Sequence, residues 1–248
     1  MKTSPTLIPK LGACAVTELE PVEQERKFVL DAPTAQAFWS IASSRLSHPV
    51  DEPAGVTYVR TTYFDTPDLA YYRSGTETVA RRMRVREYSS PDRDGLLPTR
   101  ELCYLELKQS SGGRRAKTRL CLHPEDLIGQ LAFVGDTPLS PRVTSLYRRS
   151  ALSDPMTGLR VTLDDLLLFC RPRPIGSPFA DVRPEEVVAS LQTLVLEVKL
   201  NGEVPTWVTR LLSFVPEAVG FSKFMLGMSL AREVRRRSVI STTHPSAV

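Results

Sequence analysis

Arginine recurs at alternate positions in one stretch of the sequence, where it could form a row of charge. Read as a strand, this stretch places Arg82, Arg84 and Arg86 on one face and Met83 and Val85 on the other. Like charges side by side on one face repel, and the repulsion grows if that face is enclosed. Bulk water or a polyanion relieves the repulsion. The arginines are therefore candidate phosphate ligands, because a guanidinium can donate two parallel hydrogen bonds to phosphate oxygens.

The composition describes an ordinary globular chain of 248 residues, 42% hydrophobic and 24% charged, which fits one large domain or two small ones. The net charge of +4 is modest and disfavours a non-specific nucleic-acid binder. No apolar run approaches the roughly 20 residues that cross a bilayer, and the proline-containing N-terminus makes a poor signal peptide. We therefore expect a cytoplasmic protein with no membrane span and no nucleic acid partner.

Cysteine and histidine are few and scattered. They are Cys14, Cys103, Cys121, Cys170, His48, His123 and His244. The cysteines form no close pairing motif, which suits a reducing compartment and excludes a Cys-rich zinc module. The isolated histidines disfavour a Ser-His-Asp triad and a His-based metal site.

In most of the chain, charged and apolar residues alternate as they do in short strands with one charged and one apolar face. Strands are predicted at 22–30, 56–65, 79–88, 102–109, 114–122, 142–151, 159–169 and 191–200, and helices at 32–46, 124–134, 204–215 and 221–235. We expect a flexible N-terminal arm at 1–21, one domain at 22–235 and a disordered tail at 236–248.

Residues 110–113 form a predicted hairpin turn between the strands at 102–109 and 114–122. If the charged faces of the two strands coincide, Cys103 and Cys121 lie on opposite faces of the sheet. The sequence therefore predicts that they form no disulfide.

The charged strand faces allow two interpretations. One is a half-exposed antiparallel sheet whose solvent side is charged. The other follows from the recurrence of arginine and lysine on strand after strand, where a solvated face would also carry Thr, Ser and Gln. The predicted helices can cover the outside of a curved sheet, and about eight strands closed into a barrel can hold a ligand. We therefore predict an α+β fold, a closed antiparallel β-barrel tunnel with flanking helices.

Carboxylates share the charged faces, where a pure anion site would exclude them. They are Glu23, Glu25, Glu106 and Glu197. Their presence fits a divalent cation held against phosphates, since Mg²⁺ and Mn²⁺ prefer carboxylate oxygens.

An ordered set of segments resembles the VTC-type polyphosphate polymerase domain of the CYTH-like triphosphate tunnel metalloenzymes. Residues 23–27, EQERK, are similar to the ExExK strand of that superfamily. The other segments are YFDTP at 63–67, RVR at 84–86, LELK at 105–108, LEVK at 196–199 and FSKF at 221–224. ExExK alone is a weak motif, but the ordered set is specific and covers roughly 22 to 235.

This resemblance implies a tunnel that takes ATP and Mn²⁺ or Mg²⁺ and transfers the γ-phosphoryl group to a growing inorganic polyphosphate chain. The implied catalytic residues are Arg84, Arg86, Lys108 and Glu197. The implied metal ligands are Glu23, Glu25 and Glu197. The implied ligands of ATP and polyphosphate are Lys27, Arg84, Arg86, Lys108, Lys117, Arg119, Tyr147, Arg149, Arg160, Lys199, Ser222 and Lys223.

Two positions depart from the pattern of the eukaryotic polymerases. Gly220 stands where they carry a lysine just before Phe-Ser-Lys, and Ser110 stands where they carry a histidine two residues after the tunnel lysine. Both changes remove polyphosphate contacts.

Two other functions use nearly the same residues. One is a tunnel triphosphatase that hydrolyses inorganic or nucleoside triphosphate. The other is a non-catalytic sensor of polyphosphate or inositol pyrophosphate, against which the carboxylates argue, because a pure anion binder needs no metal ligands. Coupling of synthesis to membrane transport would require a separate transporter partner.

Overall fold

The computed structural model describes residues 14–17, 24–49, 55–76, 80–92, 94–98, 102–111, 114–127, 131, 138–179, 181–200 and 202–242. Its strands are β1 (Cys14–Thr17), β2 (Gln24–Leu30), β3 (Val56–Asp65), β4 (Ala80–Ser89), β5 (Cys103–Ser111), β6 (Arg114–Leu122), β7 (Ser140–Asp154), β8 (Leu159–Cys170), β9 (Val187–Leu191) and β10 (Leu194–Leu200). Its helices are α1 (Ala32–Ser43), α2 (Ala70–Arg73), α3 (Thr206–Leu211) and α4 (Lys223–Thr242).

All the strands join one antiparallel sheet. Their order is β1-β6-β5-β4-β3-β7-β8-β10-β2, and β9 pairs with β8. The described residues form no ladder between β1 and β2, so the hydrogen-bonded closure predicted for a barrel is not seen there. The outer edge of β2 instead meets the segment before α4, where Ala218 N–H donates to the carbonyl of Lys27 at 2.8 Å.

Helices α1 and α3 cover the apolar faces of β2, β8 and β10. Helix α1 begins after Asp31, whose carboxylate accepts a hydrogen bond from Thr34 N–H at 2.8 Å. Phe38 of this helix packs in one core with Phe28 and Leu196 of the strands. Because side chains alternate along a strand, this packing turns the polar sides of β2 and β10 away from the helices.

Helix α4 packs closely against the sheet. A Cβ atom at Gly227 would lie only 2.8 Å from the Phe169 ring, so this approach requires glycine. The helix continues to Thr242 rather than ending at 235, so it includes residues 236–242 of the predicted tail. The arginines at 235–237 favour helix, and no Gly or Pro occurs between 236 and 242. Residues 243–248 lie outside the described part of the chain.

Other boundaries also differ from the predictions. Residues 14–17 of the predicted N-terminal arm form β1, which pairs with β6. The rest of the arm at 1–21 lies outside the described residues. The strand predicted at 191–200 corresponds to β10, and its first predicted residue, Leu191, instead ends the separate strand β9. Within the predicted helix at 124–134, Pro124–Asp126 form a 3-10 turn.

The predicted separation of two cysteines is confirmed. Cys103 lies opposite Leu122 and Cys121 lies opposite Tyr104, which places the two thiols on different faces of the hairpin. Neither of these two residues is in a disulfide.

Among the described helices, none combines the length and the apolar character that a bilayer crossing requires.

Candidate functional site

The sheet curls so that strands from both ends of its order face one cavity. Among the described residues, nine basic side chains line it: Lys27, Arg82, Arg84, Arg86, Lys108, Lys117, Arg149, Lys199 and Lys223. Two carboxylates, Glu25 and Glu197, also line it. The space measures about 870 Å³, including the part open to solvent. The lining therefore carries a large excess of positive charge although the whole chain is nearly balanced.

The structure brings together most of the site residues expected from the sequence. The expected residues that line the cavity are Glu25, Lys27, Arg84, Arg86, Lys108, Lys117, Tyr147, Arg149, Glu197, Lys199, Ser222 and Lys223. Arg119 and Arg160 do not line it, and Glu23 lies outside the described residues. Arg82, which the sequence placed in the same row as Arg84 and Arg86 but to which the family resemblance gave no role, also lines the cavity. So do Tyr63, Phe221 and Phe224, to which the sequence gave no site role.

One wall of the cavity, from β4 to β6, is built around the buried carboxylate of Glu106. Its oxygens lie 2.6 Å from Arg84 Nε, 3.6 Å from Arg119 Nε and 3.9 Å from Arg86 Nη1. Burial alone would raise the pKa of Glu106, but the three guanidiniums hold it well below its usual range. Glu106, whose face made it a candidate cation ligand, is therefore the counter-ion of this wall.

Arg119 lies beside the cavity. Its guanidinium stacks over the Tyr104 ring, 3.9 Å from the centroid, and its Nη2 donates to the Tyr88 hydroxyl at 3.2 Å. Arg160 lies at the start of β8, opposite Lys199. The contacts of Arg119 hold its side chain outside the lining, and Arg160 does not line the cavity either.

On the opposite wall, formed by β2 and β10, acidic and basic side chains alternate both along each strand and between the two strands. Lys27 lies opposite Glu197, and Lys199 lies opposite Glu25. Ion pairs also run along each strand, with Lys27 Nζ 2.8 Å from Glu25 Oε1 and Lys199 Nζ 3.3 Å from Glu197 Oε1. Burial would raise the pKa of Glu197, but Arg149 and the neighbouring lysines lower it. Glu197 is therefore ionised, which is the form that binds a metal.

The carboxylates of this wall fit a divalent ion only if a ligand completes its coordination. The described residues contain no cluster of three or more His, Cys, Asp or Glu that could hold a metal. Mg²⁺ commonly takes one or two carboxylates and fills its other positions with substrate phosphates and water. Glu25 and Glu197 match that pattern.

The turn before α4 explains one departure from the family pattern. Gly220 has a φ of 75°, a conformation that favours glycine and would strain a lysine. Phe221, Ser222 and Lys223 follow it and line the cavity. The glycine therefore serves the turn that brings Lys223 to the site.

Lys108 lies in register between Arg82 on β4 and Lys117 on β6. Burial, followed by the charge of Arg84, lowers the pKa of Lys108 to about 7. The side chain is therefore charged below that pH and neutral above it, and a bound phosphate would restore the charge.

The contribution of Lys108 to anion binding should consequently depend on pH. At about pH 6 we expect Lys108→Met to weaken tripolyphosphate binding roughly tenfold, and at about pH 9 much less, because the wild-type lysine has lost its proton. Titration calorimetry of both proteins at each pH tests this, and the ligand's own titration cancels in the ratio. A ratio that does not change with pH would contradict the assignment.

Comparison with known proteins gives a family and a fold. The model of the VTC domain matches residues 22–134 and 130–232. A structure from Pyrococcus horikoshii aligns with a TM-score of 0.52 at 10% identity, covering 84% of this chain and 99% of that one, and shows the fold alone. HpAC1 from Hippeastrum, described as having a dominant triphosphatase activity, aligns with a TM-score of 0.49 at 18% identity, covering 84% and 96%. A search of curated proteins gave no match. With nearly its whole described sheet inside the matched residues, the chain belongs to the VTC domain family.

Proposed function

We propose that this protein is a polyphosphate polymerase that transfers the γ-phosphoryl group of ATP to a growing inorganic polyphosphate chain. The observation that carries the proposal is the set of nine basic side chains, from six strands and one helix, around one cavity. Membership of the VTC domain family supports it.

The shape and charge of the cavity favour a chain of phosphates over a small anion. Each enclosed cation costs several kcal/mol of desolvation, even after relaxation, unless it is paired. One sulfate or carboxylate would reach only a few of the nine cations, whereas an oligophosphate carries charge along its length. The curled sheet would act as a tunnel for that chain, a role supported by the approach of β2 and β10 to β5 and β6 around the cavity.

The residues of the two walls would hold the donor and the acceptor in line. Phosphoryl transfer depends mainly on alignment and on neutralising the oxygens as charge shifts. Arg84, Arg86 and Lys108 would bind phosphate oxygens from one wall, and Arg149 and Lys223 from the other side. A phosphate acceptor needs no general base. A divalent ion held by the two wall carboxylates would, when bound, neutralise further charge on the phosphates.

A tunnel triphosphatase is the second candidate. The access of solvent to the cavity favours it. The cavity is open to solvent, and the side chains of Lys27 and Lys199 are each 27% exposed. Water therefore reaches the wall that carries the carboxylates.

One assay separates these functions. Purified protein is incubated with labelled ATP and Mn²⁺, and the products are resolved on a gel. We expect a ladder of polyphosphate lengths. Free phosphate without a ladder would assign hydrolysis instead, and unchanged ATP would leave an anion sensor.

A further inference from the structure

One buried carboxylate joins two of the cavity's cations. Asp164 of β8, 1% exposed, accepts hydrogen bonds from Arg149 Nε at 2.6 Å and from Arg149 Nη2 at 2.8 Å. It also accepts one from Lys223 Nζ at 2.6 Å. The last two bonds share a single oxygen, Oδ2. Strand β7, strand β8 and the first residue of α4 therefore meet at this carboxylate.

An aromatic ring supports the same two cations. Lys223 Nζ lies 4.6 Å from the Tyr147 ring centroid, and the Arg149 guanidinium carbon lies 5.4 Å from it. Because Asp164 takes the Nε and Nη2 edge of Arg149, the Nη1 group remains the donor available to a cavity ligand. The ammonium likewise uses one of its three donors on Asp164.

Charge keeps this arrangement together. Burial alone would lower the pKa of Lys223, but Asp164 raises it above its ordinary value. Burial would raise the pKa of Asp164, but Arg149 and Lys223 lower it. All three groups are therefore ionised around neutral pH. Without the carboxylate, the two cations would repel each other in a poorly solvated place.

We propose that Asp164 is a positioning residue, which sets Arg149 and Lys223 side by side so that both reach oxygens of the same phosphate ligand. This inference rests on the proposed function, insofar as the ligand is an oligophosphate. Holding the two side chains in place before binding spares the ligand the cost of ordering them.

The sign of a mutational effect tests this role. Asp164 is an anion beside an anion site, so Coulomb's law alone predicts that its removal strengthens anion binding. Positioning predicts the opposite, because the released cations would move apart.

The test measures tripolyphosphate binding by calorimetry, without metal or turnover. We expect Asp164→Asn to weaken binding roughly tenfold, the worth of a hydrogen bond between charged groups. Binding as tight as or tighter than wild type, in a variant that folds, would overturn the proposal. Failure of the wild type to bind would count against the proposed function instead.

The neighbouring residue provides a matched control. Asp165 pairs with Arg148, its Oδ1 accepting from Nε at 2.8 Å, one position along the same two strands and on the other face of the sheet. Asp165→Asn removes the same charge from the same strand but leaves the cavity intact. We expect its affinity to stay within about twofold of wild type, and a loss equal to that of the Asp164 variant would overturn the proposal.

Two further variants guard against a purely structural effect. Asp164→Glu restores a carboxylate and should bind with an affinity between those of the wild type and the Asn variant. An affinity no better than the Asn variant's would contradict a role for the carboxylate.

If Asp164→Asn does not fold, it is combined with Lys223→Met, which removes the unpaired ammonium. The double variant should bind more weakly than Lys223→Met alone, because Arg149 has also lost the carboxylate that positions it. Tighter binding by the double variant would overturn the proposal.

Discussion

Glu197→Gln is expected to reduce turnover of ATP with Mn²⁺ at least about 100-fold, since removal even of residues that only support metal ligands costs 10- to 100-fold. The amide keeps the shape of the side chain but removes the charge that would hold a divalent ion. The cations of the cavity remain, so metal-free binding of tripolyphosphate should change by less than about tenfold. Turnover is measured with labelled ATP, and binding by calorimetry in the presence of a chelator.

Glu203, an exposed glutamate shortly after β10, provides the control for this prediction. Glu203→Gln makes the same chemical change outside the cavity and should leave both measurements unaltered. If Glu197→Gln abolished binding of tripolyphosphate but preserved turnover, the carboxylate would serve as an anchor of the wall and not as a metal ligand.

Much of the inner face of the sheet could be predicted, because alternation along a strand is a local property. The bounds predicted for β3 and β6 agree with the structure. The alternating arginines of β4 line one cavity, while Met83 and Val85 are buried on the other face. The charge of the site and the strands that carry it could therefore be predicted from the sequence.

The same alternation could not predict what covers the outer face. Arg60 lies there and is fully buried, because its guanidinium donates to both carboxylate oxygens of Glu87 and to the carbonyl of Ser177. Phe179 packs over it, with its ring centroid 4.7 Å from the guanidinium carbon. The sequence predicted neither a strand nor a helix at 171–183. No local pattern indicates that a loop more than 100 residues away folds onto Arg60.

Nor could the sequence distinguish the roles of carboxylates that share the inner face. Glu106 and Glu197 each stand two positions before a lysine, and Asp164 follows Arg160 and Thr162 on the same face of its strand. Their roles depend on distances to side chains of other strands. Glu106 is enclosed by three guanidiniums, Asp164 by one guanidinium and one ammonium, while Glu197 faces the cavity beside Lys199. Strand register and side-chain direction decide these distances.

Glu106→Gln is expected to lower the free energy of unfolding at neutral pH by about 3–5 kcal/mol, the usual cost of breaking a buried ion pair. Glutamine preserves the shape and one acceptor, but leaves three arginines next to each other without a counter-charge. Because the folded state depresses the pKa of Glu106, its stabilisation is present above the usual value of about 4.5 and is lost as the pH falls below it. Urea denaturation of wild type and variant at about pH 7 and about pH 3 measures both effects.

The surface pair of Arg26 and Glu217 calibrates this result. Its atoms are 2.9 Å apart, as close as in a buried pair, but the side chains are 37% and 34% exposed, so Glu217→Gln should cost only about 0–1 kcal/mol. Both variants lose one negative charge. The difference between their losses in free energy of unfolding therefore gives the contribution of burial and of pairing with three arginines. The wild-type advantage over Glu106→Gln should shrink towards about pH 3, because acid destabilises the wild type through Glu106 and the variant lacks that group. An equal advantage at both pH values would mean that Glu106 stabilises the fold by its shape and not by the charge that holds Arg84, Arg86 and Arg119 along the cavity wall.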